Sequence, residues 1–137
     1  MYICDISIIN RYGKSLLDSM LDSRQMNWRD LVSLLVIHEQ PDILQADLTP
    51  YLQTDKANIS KLLGELEKQK LIQRSKDPNN YRQNRCRLTE TGETLLPELE
   101  KIMRTWENTC FAGFSEEELL AFKELNHKVV TNFLDIE

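Results

Sequence analysis

Residues 55–91 hold nine basic side chains (Lys56, Lys61, Lys68, Lys70, Arg74, Lys76, Arg82, Arg85, Arg87) against five acidic ones. The segment is therefore +4 in a chain whose net charge is −5, which leaves −9 on the other hundred residues. Such an asymmetry predicts a local anion-binding surface on an acidic body. Two clusters carry it. Asp55, Lys56, Ala57, Asn58, Ser60 and Lys61 are spaced to occupy the first two turns of one helix. Lys56 and Asn58 there can hydrogen-bond base edges, while Ser60 and Lys61 suit bases or phosphates. A polar first turn above an apolar stripe is equally what an ordinary surface helix presents. The second cluster, Arg74, Lys76, Asn80, Arg82, Arg85 and Arg87, brackets a turn. It predicts a basic projection able to reach phosphates and to place an arginine in a minor groove.

Chemistry of other kinds finds no foothold. The sequence has no nucleophile motif, glycine-rich phosphate loop or spaced carboxylate pair, so no enzymatic activity is expected. Cys4, Cys86 and Cys110 lie far apart with no Cys-x-x-Cys pair, which argues against a disulfide framework and a zinc site. Cys86 and Cys110 are expected in the core. His38 and His127 read as structural, so neither metal nor cofactor is expected.

The elements that must position these clusters follow from periodicity and capping. Apolar residues from Ile3 to Leu21 recur mostly at three- and four-residue steps, predicting a helix over about 3–21. Asn27 caps a second helix, 26–38, that buries Leu31, Leu34, Leu35 and Ile37 and stops before Pro41. A short helix over 44–52 should bury Ala46, Leu48 and Leu52, with Pro50 anomalous inside it. Thr54-Asp55 caps a longer helix, 55–70, whose stripe is Ile59, Leu62, Leu63 and Leu66. Gly64 within it has no evident purpose.

From Leu71 the period changes to two. Residues 72–76 and 85–88 flank Asp77-Pro78-Asn79-Asn80-Tyr81 as a hairpin, with Arg74, Lys76, Arg85 and Arg87 expected largely on one face. Gln73, Ser75 and Cys86 fall on the other. Thr89 caps a helix over about 89–110, carrying Leu95, Leu99, Ile102, Met103 and Trp106, which Pro97 should kink or shift. Ser115 followed by three glutamates starts a last helix to about 135, with Leu119, Phe122, Leu125, Val129 and Phe133 as its stripe.

The order helix, helix, short helix, long helix, basic hairpin, long helix, long helix resembles the multiple-antibiotic-resistance-regulator (MarR) family. IHEQPDILQADLTPYLQTDKANISKLLGELEKQKLIQRSKDPN and RLTETG carry the resemblance, the first through its LEKQKLIQR junction between helix and hairpin. It implies a mainly α (α+β) fold, a winged helix-turn-helix flanked by long N- and C-terminal dimerisation helices. The expected organisation is one domain, 1–137, with a winged core at 26–90 and dimerisation helices at 1–22 and 91–137.

By function the resemblance implies a homodimeric transcriptional regulator, most often a repressor, on an inverted repeat in double-stranded DNA. It also implies release by a small aromatic or anionic effector, for which Trp28 and Trp106 are candidate pocket residues; core packing is the competing role. The wing tip departs from the family's Asp-Arg-Arg, reading Asn80-Tyr81-Arg82. Two alternatives stay open, a winged module that binds protein instead of DNA, and a thiol-sensing regulator using Cys4. Asp5 beside Cys4 disfavours the latter by opposing thiolate formation. No apolar run reaches the roughly 20 residues a membrane span needs, and the first five residues lack a signal-peptide pattern. A cytoplasmic protein is therefore expected.

Overall fold

Side-chain caps set the starts of the principal helices in the computed structural model, which describes residues 1–136. Asn27 accepts from the backbone N–H groups of Arg29 and Asp30, while Asp30 accepts from Asn27 N, a reciprocal box that opens α3 (Trp28–Glu39). Asp55 accepts from Asn58 N at 2.8 Å and opens α5 (Lys56–Lys68). Thr89 accepts from Gly92 N and opens α6 (Glu90–Cys110). Ser115 and Glu118 form a second capping box that opens α7 (Glu116–Leu134). Each satisfies N–H groups that a helix start leaves without partners.

The first helical stretch, expected as one helix, runs without a break but widens midway. α1 (Tyr2–Ile8) passes through a π-helical segment, Ile9–Gly13, into α2 (Lys14–Leu21). The indole N–H of Trp106 donates to Gly13 O at 2.8 Å, so the wide segment sits where another helix reaches in. α6 runs through Pro97 without ending.

The expected helix over 44–52 proves composite. Ile43–Leu44 form a two-residue strand, β1, followed by a 3₁₀ turn, Gln45–Leu48, and α4 (Thr49–Leu52). Pro50 occupies the first turn of α4, where its missing N–H leaves no hydrogen bond unmade, which resolves its apparent anomaly. Ala46 is exposed rather than buried. β2 (Ile72–Asp77) and β3 (Asn80–Leu88) complete a three-stranded antiparallel sheet of order β1-β3-β2.

The core gathers beneath that sheet. Leu31, Leu34 and Ile37 of α3, Leu48, Leu52, and Ile59, Leu63 and Leu66 of α5 close over Ile72 and Cys86, with Leu21 and Leu99 beside them; none exceeds 2% exposure. The two motifs LEKQKLIQR and RLTETG meet within it. Lys70 takes a left-handed φ of 62° and ends α5, with Leu71 N donating to Leu66 O. Leu71 O then accepts from Thr89 N, and a Cβ on Gly92 would lie 2.2 Å from that same oxygen. Only glycine lets the start of α6 approach the end of α5 so closely.

Cys110 lies exposed at the end of α6, against the expectation of a core position, because the helix there has passed beyond the lobe it packs on. α1 and α7 contain no buried residue at all. Phe111, Phe114 and Phe122 meet edge-on at 5.4–6.0 Å where α7 turns back from α6, and Lys123 pairs with Glu107 at 3.1 Å. The expected terminal segment, 91–137, extends one residue past those described.

Candidate nucleic-acid interface

The start of α5 is exposed through Lys56, Ala57, Asn58, Ser60 and Lys61, while Ile59 and Leu63 anchor its opposite side. Asp55 is committed to its cap. Asn58 is partly committed too, since its side-chain N–H₂ donates to Thr54 Oγ1 at 3.1 Å and Asp55 Oδ2 at 3.3 Å. Its carbonyl oxygen is the end left for another molecule. Lys56 and Lys61 form no ion pair among the described residues.

The hairpin differs from its expected form in which side chains share a face. β2 and β3 pair with Ile72 opposite Leu88, Arg74 opposite Cys86 and Ser75 opposite Arg85. Directly opposed residues project to the same side of a sheet. Arg74 and Lys76 therefore share the face of Cys86, whereas Arg85 and Arg87 share the other with Gln73 and Ser75. The register is fixed by burying Ile72, Cys86 and Leu88 together.

Three of the arginines hold the wing in place. Arg74, with 18% of its side chain exposed, lies over α5, pairing with Glu67 at 3.2 Å and donating to Ser60 O and to Gln45 Oε1. Its Nη2 sits 3.5 Å from where a Gly64 Cβ would be, an ordinary van der Waals contact that leaves room for a methyl group. Arg85 pairs with the buried Asp77 carboxylate at 3.0 Å and donates to Asp42 O at 2.8 Å. Arg87 binds the Asp42 carboxylate, and that hydrogen bond holds the Asp42 carboxyl below its ordinary range. Lys76 and Arg82 stay exposed and without an ion pair among the described residues. Asn80 accepts from Arg82 N at 3.1 Å, a turn contact that shapes the tip.

Lys56 and Arg82 line one groove of about 220 Å³ between α5 and the wing, together with Gln45, Thr49, Gln83 and Asn84. Sequence reasoning passed over Gln45, Thr49 and Asn84. Gln45 and Thr49, four residues apart across the 3₁₀–α4 junction, were the available signal.

The two tryptophans are each met from the first helical stretch. Trp28 is buried at the start of α3, with Lys14 Nζ at 4.0 Å and Arg29 Cζ at 4.7 Å from its ring. Burial, then the Arg29 charge, lowers the Lys14 pKa. Trp106 is half-buried against Gly13. Arg29 also donates to Leu52 O and Gln53 O, tying α3 to the turn that enters α5. Cys4 is exposed on α1.

A sheet of three short strands behind two helices joined by a tight turn, with the second helix's first turns exposed beside a basic hairpin, is a winged helix-turn-helix. The family model for MarR matches residues 26–83. The fold superposes on the crystal structure of MarR with a TM-score of 0.80 at 28% identity, over 96% of each chain. A MarR-family protein from Listeria monocytogenes complexed with 26mer DNA gives 0.83 at 26% identity, over 97% of this chain and 89% of that one. The S. aureus MepR–DNA complex gives 0.76 at 26% identity, over 96% and 98%. By its fold and by the match over residues 26–83, the chain resembles the MarR family of winged-helix transcriptional regulators. No helix among the described residues is long and apolar enough to cross a membrane.

Proposed function

We propose that this regulator binds double-stranded DNA as a homodimer, placing α5 in the major groove and the wing tip in the adjacent minor groove of each half of an inverted repeat. The carrying observation is that Lys56 and Arg82, neither of them in an ion pair among the described residues, face one groove between the exposed start of α5 and the wing. Lys56, Lys61, Ser60 and the Asn58 carbonyl supply base and phosphate contacts, Lys76 supplies phosphate contacts, and Arg82 is the minor-groove reader. Arg74 and Arg85 hold the wing that presents them. The structures of relatives with DNA bound support this reading.

The dimer rests on the apolar faces of α1 and α7. Ile3 is 65%, Leu125 59% and Phe133 68% exposed, an unfavourable state for a chain alone in water. A two-fold protein reads half-sites about 10 base pairs apart. The regulator acts as a repressor, and a small aromatic or anionic effector relieves it at Trp28, where Lys14 and Arg29 supply positive charge.

Selection of duplexes from a random pool by the purified protein at physiological salt tests this, with Arg82→Ala alongside. The expected result is enrichment of an inverted repeat by the native chain and weaker binding by the variant. No enrichment, with or without candidate effectors, would leave a protein-binding winged module as the better account.

A further inference from the structure

The groove between α5 and the wing contains an amide whose orientation is decided by its neighbours. Gln45 Oε1 lies 3.3 Å from Arg74 Nη1 and 3.4 Å from Asn84 Nδ2. A guanidinium has donors and no acceptor, so the end of Gln45 that meets it must be oxygen. The other end, the N–H₂, has no partner among the described residues, and Gln45 lines the groove. Arg74 is in turn held by Glu67 and Ser60 O, so the amide is fixed through a chain rooted in α5.

What would fill the space must accept hydrogen bonds and welcome positive charge. Lys56 and Arg82 bring two cations, Thr49 an exposed hydroxyl and Gln45 an oriented donor; no carboxylate lines the groove. A helix in the major groove and a wing in the adjacent minor groove must straddle one DNA strand, whose sugar–phosphate backbone then crosses the gap between them. We propose that the groove seats one phosphodiester of that strand, with the Gln45 N–H₂ as a positioning donor between Lys56 and Arg82. The assignment rests on the DNA-binding function proposed above and adds Gln45 to the binding surface, with Arg74 and Asn84 acting through it.

The test uses the full-length protein and the duplex recovered by selection. Gln45→Ala removes the donor, and Gln45→Glu puts a carboxylate beside the phosphate while keeping a partner for Arg74. Each is expected to bind about 10-fold more weakly or worse, the size of one hydrogen bond to a charged group. The loss should be equal on selected and scrambled duplexes, because a phosphate contact carries no sequence information. Circular dichroism and melting of both variants check that the lobe remains folded.

Replacing phosphates one at a time by neutral methylphosphonates then locates the contact. At one position per half-site the native protein should lose affinity and Gln45→Ala should lose little more, a non-additive pair. Additive losses at every phosphate, wild-type binding by both variants, or an altered base preference would overturn the assignment. So would inorganic phosphate displacing the duplex well beyond sulfate at matched ionic strength, which would mark a free-anion site. If the native chain binds no duplex, the DNA-binding function itself fails. If it binds and both variants bind alike, only the groove assignment does.

Discussion

Leu63 in α5 and Leu125 in α7 each sit mid-way along an apolar helical stripe, yet the first is wholly buried and the second is 59% exposed. The winged lobe covers its own stripes, with α3, α4 and α5 closing over the sheet. The terminal helices are amphipathic by the same spacing, yet α1 and α7 bury none of their residues against the rest of the described chain. Periodicity announces that a face will be covered. It does not say by what.

Truncation inside the lobe should have the largest effect. Leu63→Ala should cost about 3 kcal/mol of unfolding free energy, read from denaturant midpoints at fixed protein concentration. Leu125→Ala should instead change mainly the part of stability that depends on concentration. Equal, concentration-independent losses at both sites would erase the distinction between the regions.

Charge on the uncovered face comes next. Leu125→Glu with Phe133→Glu should yield a monomer in sedimentation equilibrium. Operator affinity should fall about 100-fold, as linked half-site binding is lost. A charged variant that stayed dimeric would remove these helices from the interface.

Smaller effects separate two special backbone positions of the lobe. A Cβ at Gly92 would collide with Leu71 O, so Gly92→Ala should destabilise by about 1–3 kcal/mol. A Cβ at Gly64 would meet only Arg74 Nη2 at an ordinary 3.5 Å, so Gly64→Ala should stabilise by about 1 kcal/mol through helix propensity. Thermal melts of the pair should move in opposite directions.

The smallest effect is a pH dependence. The folded state lowers the Asp42 pKa, chiefly through its hydrogen bond from Arg87. The stability so gained is present at neutral pH and is lost as pH falls below the ordinary carboxylate value and through the lowered one. Asp42→Asn should flatten that acid limb without moving the neutral midpoint far. An unchanged acid limb would show the pair to be without thermodynamic weight.

Much of this structure was legible beforehand, and the exceptions share a cause. The caps Asn27, Asp55, Thr89 and Ser115 were plain because capping is local. The stripe of α5 was plain for the same reason, whereas the expected turn over 77–81 narrows to Pro78 and Asn79, because β2 runs to Asp77 and β3 starts at Asn80. Leu44 falls in the expected helix because two residues cannot show a period; Ile43 and Leu44 become strand only by pairing with Cys86 and Arg85. The basic face of the wing was misassigned because alternation is visible within a strand while register between strands belongs to the core.

The candidate site was half visible. Its charges could be counted, but three of its arginines turned out to be bracing the wing, and the amide beside them came from a segment taken for a plain helix. The π segment ends at Gly13, whose carbonyl accepts from Trp106, more than ninety residues away, a contact no local period announces.

Cys86 gives the molecule an internal clock. Its thiol is fully buried under the sheet, and burial pushes its pKa up to about 11. It can be alkylated only while the wing has peeled away from α5. The slow phase of thiol labelling therefore counts spontaneous openings of the wing, while the exposed Cys4 and Cys110 react without any such opening. One unmodified protein can report how often its winged lobe lets go.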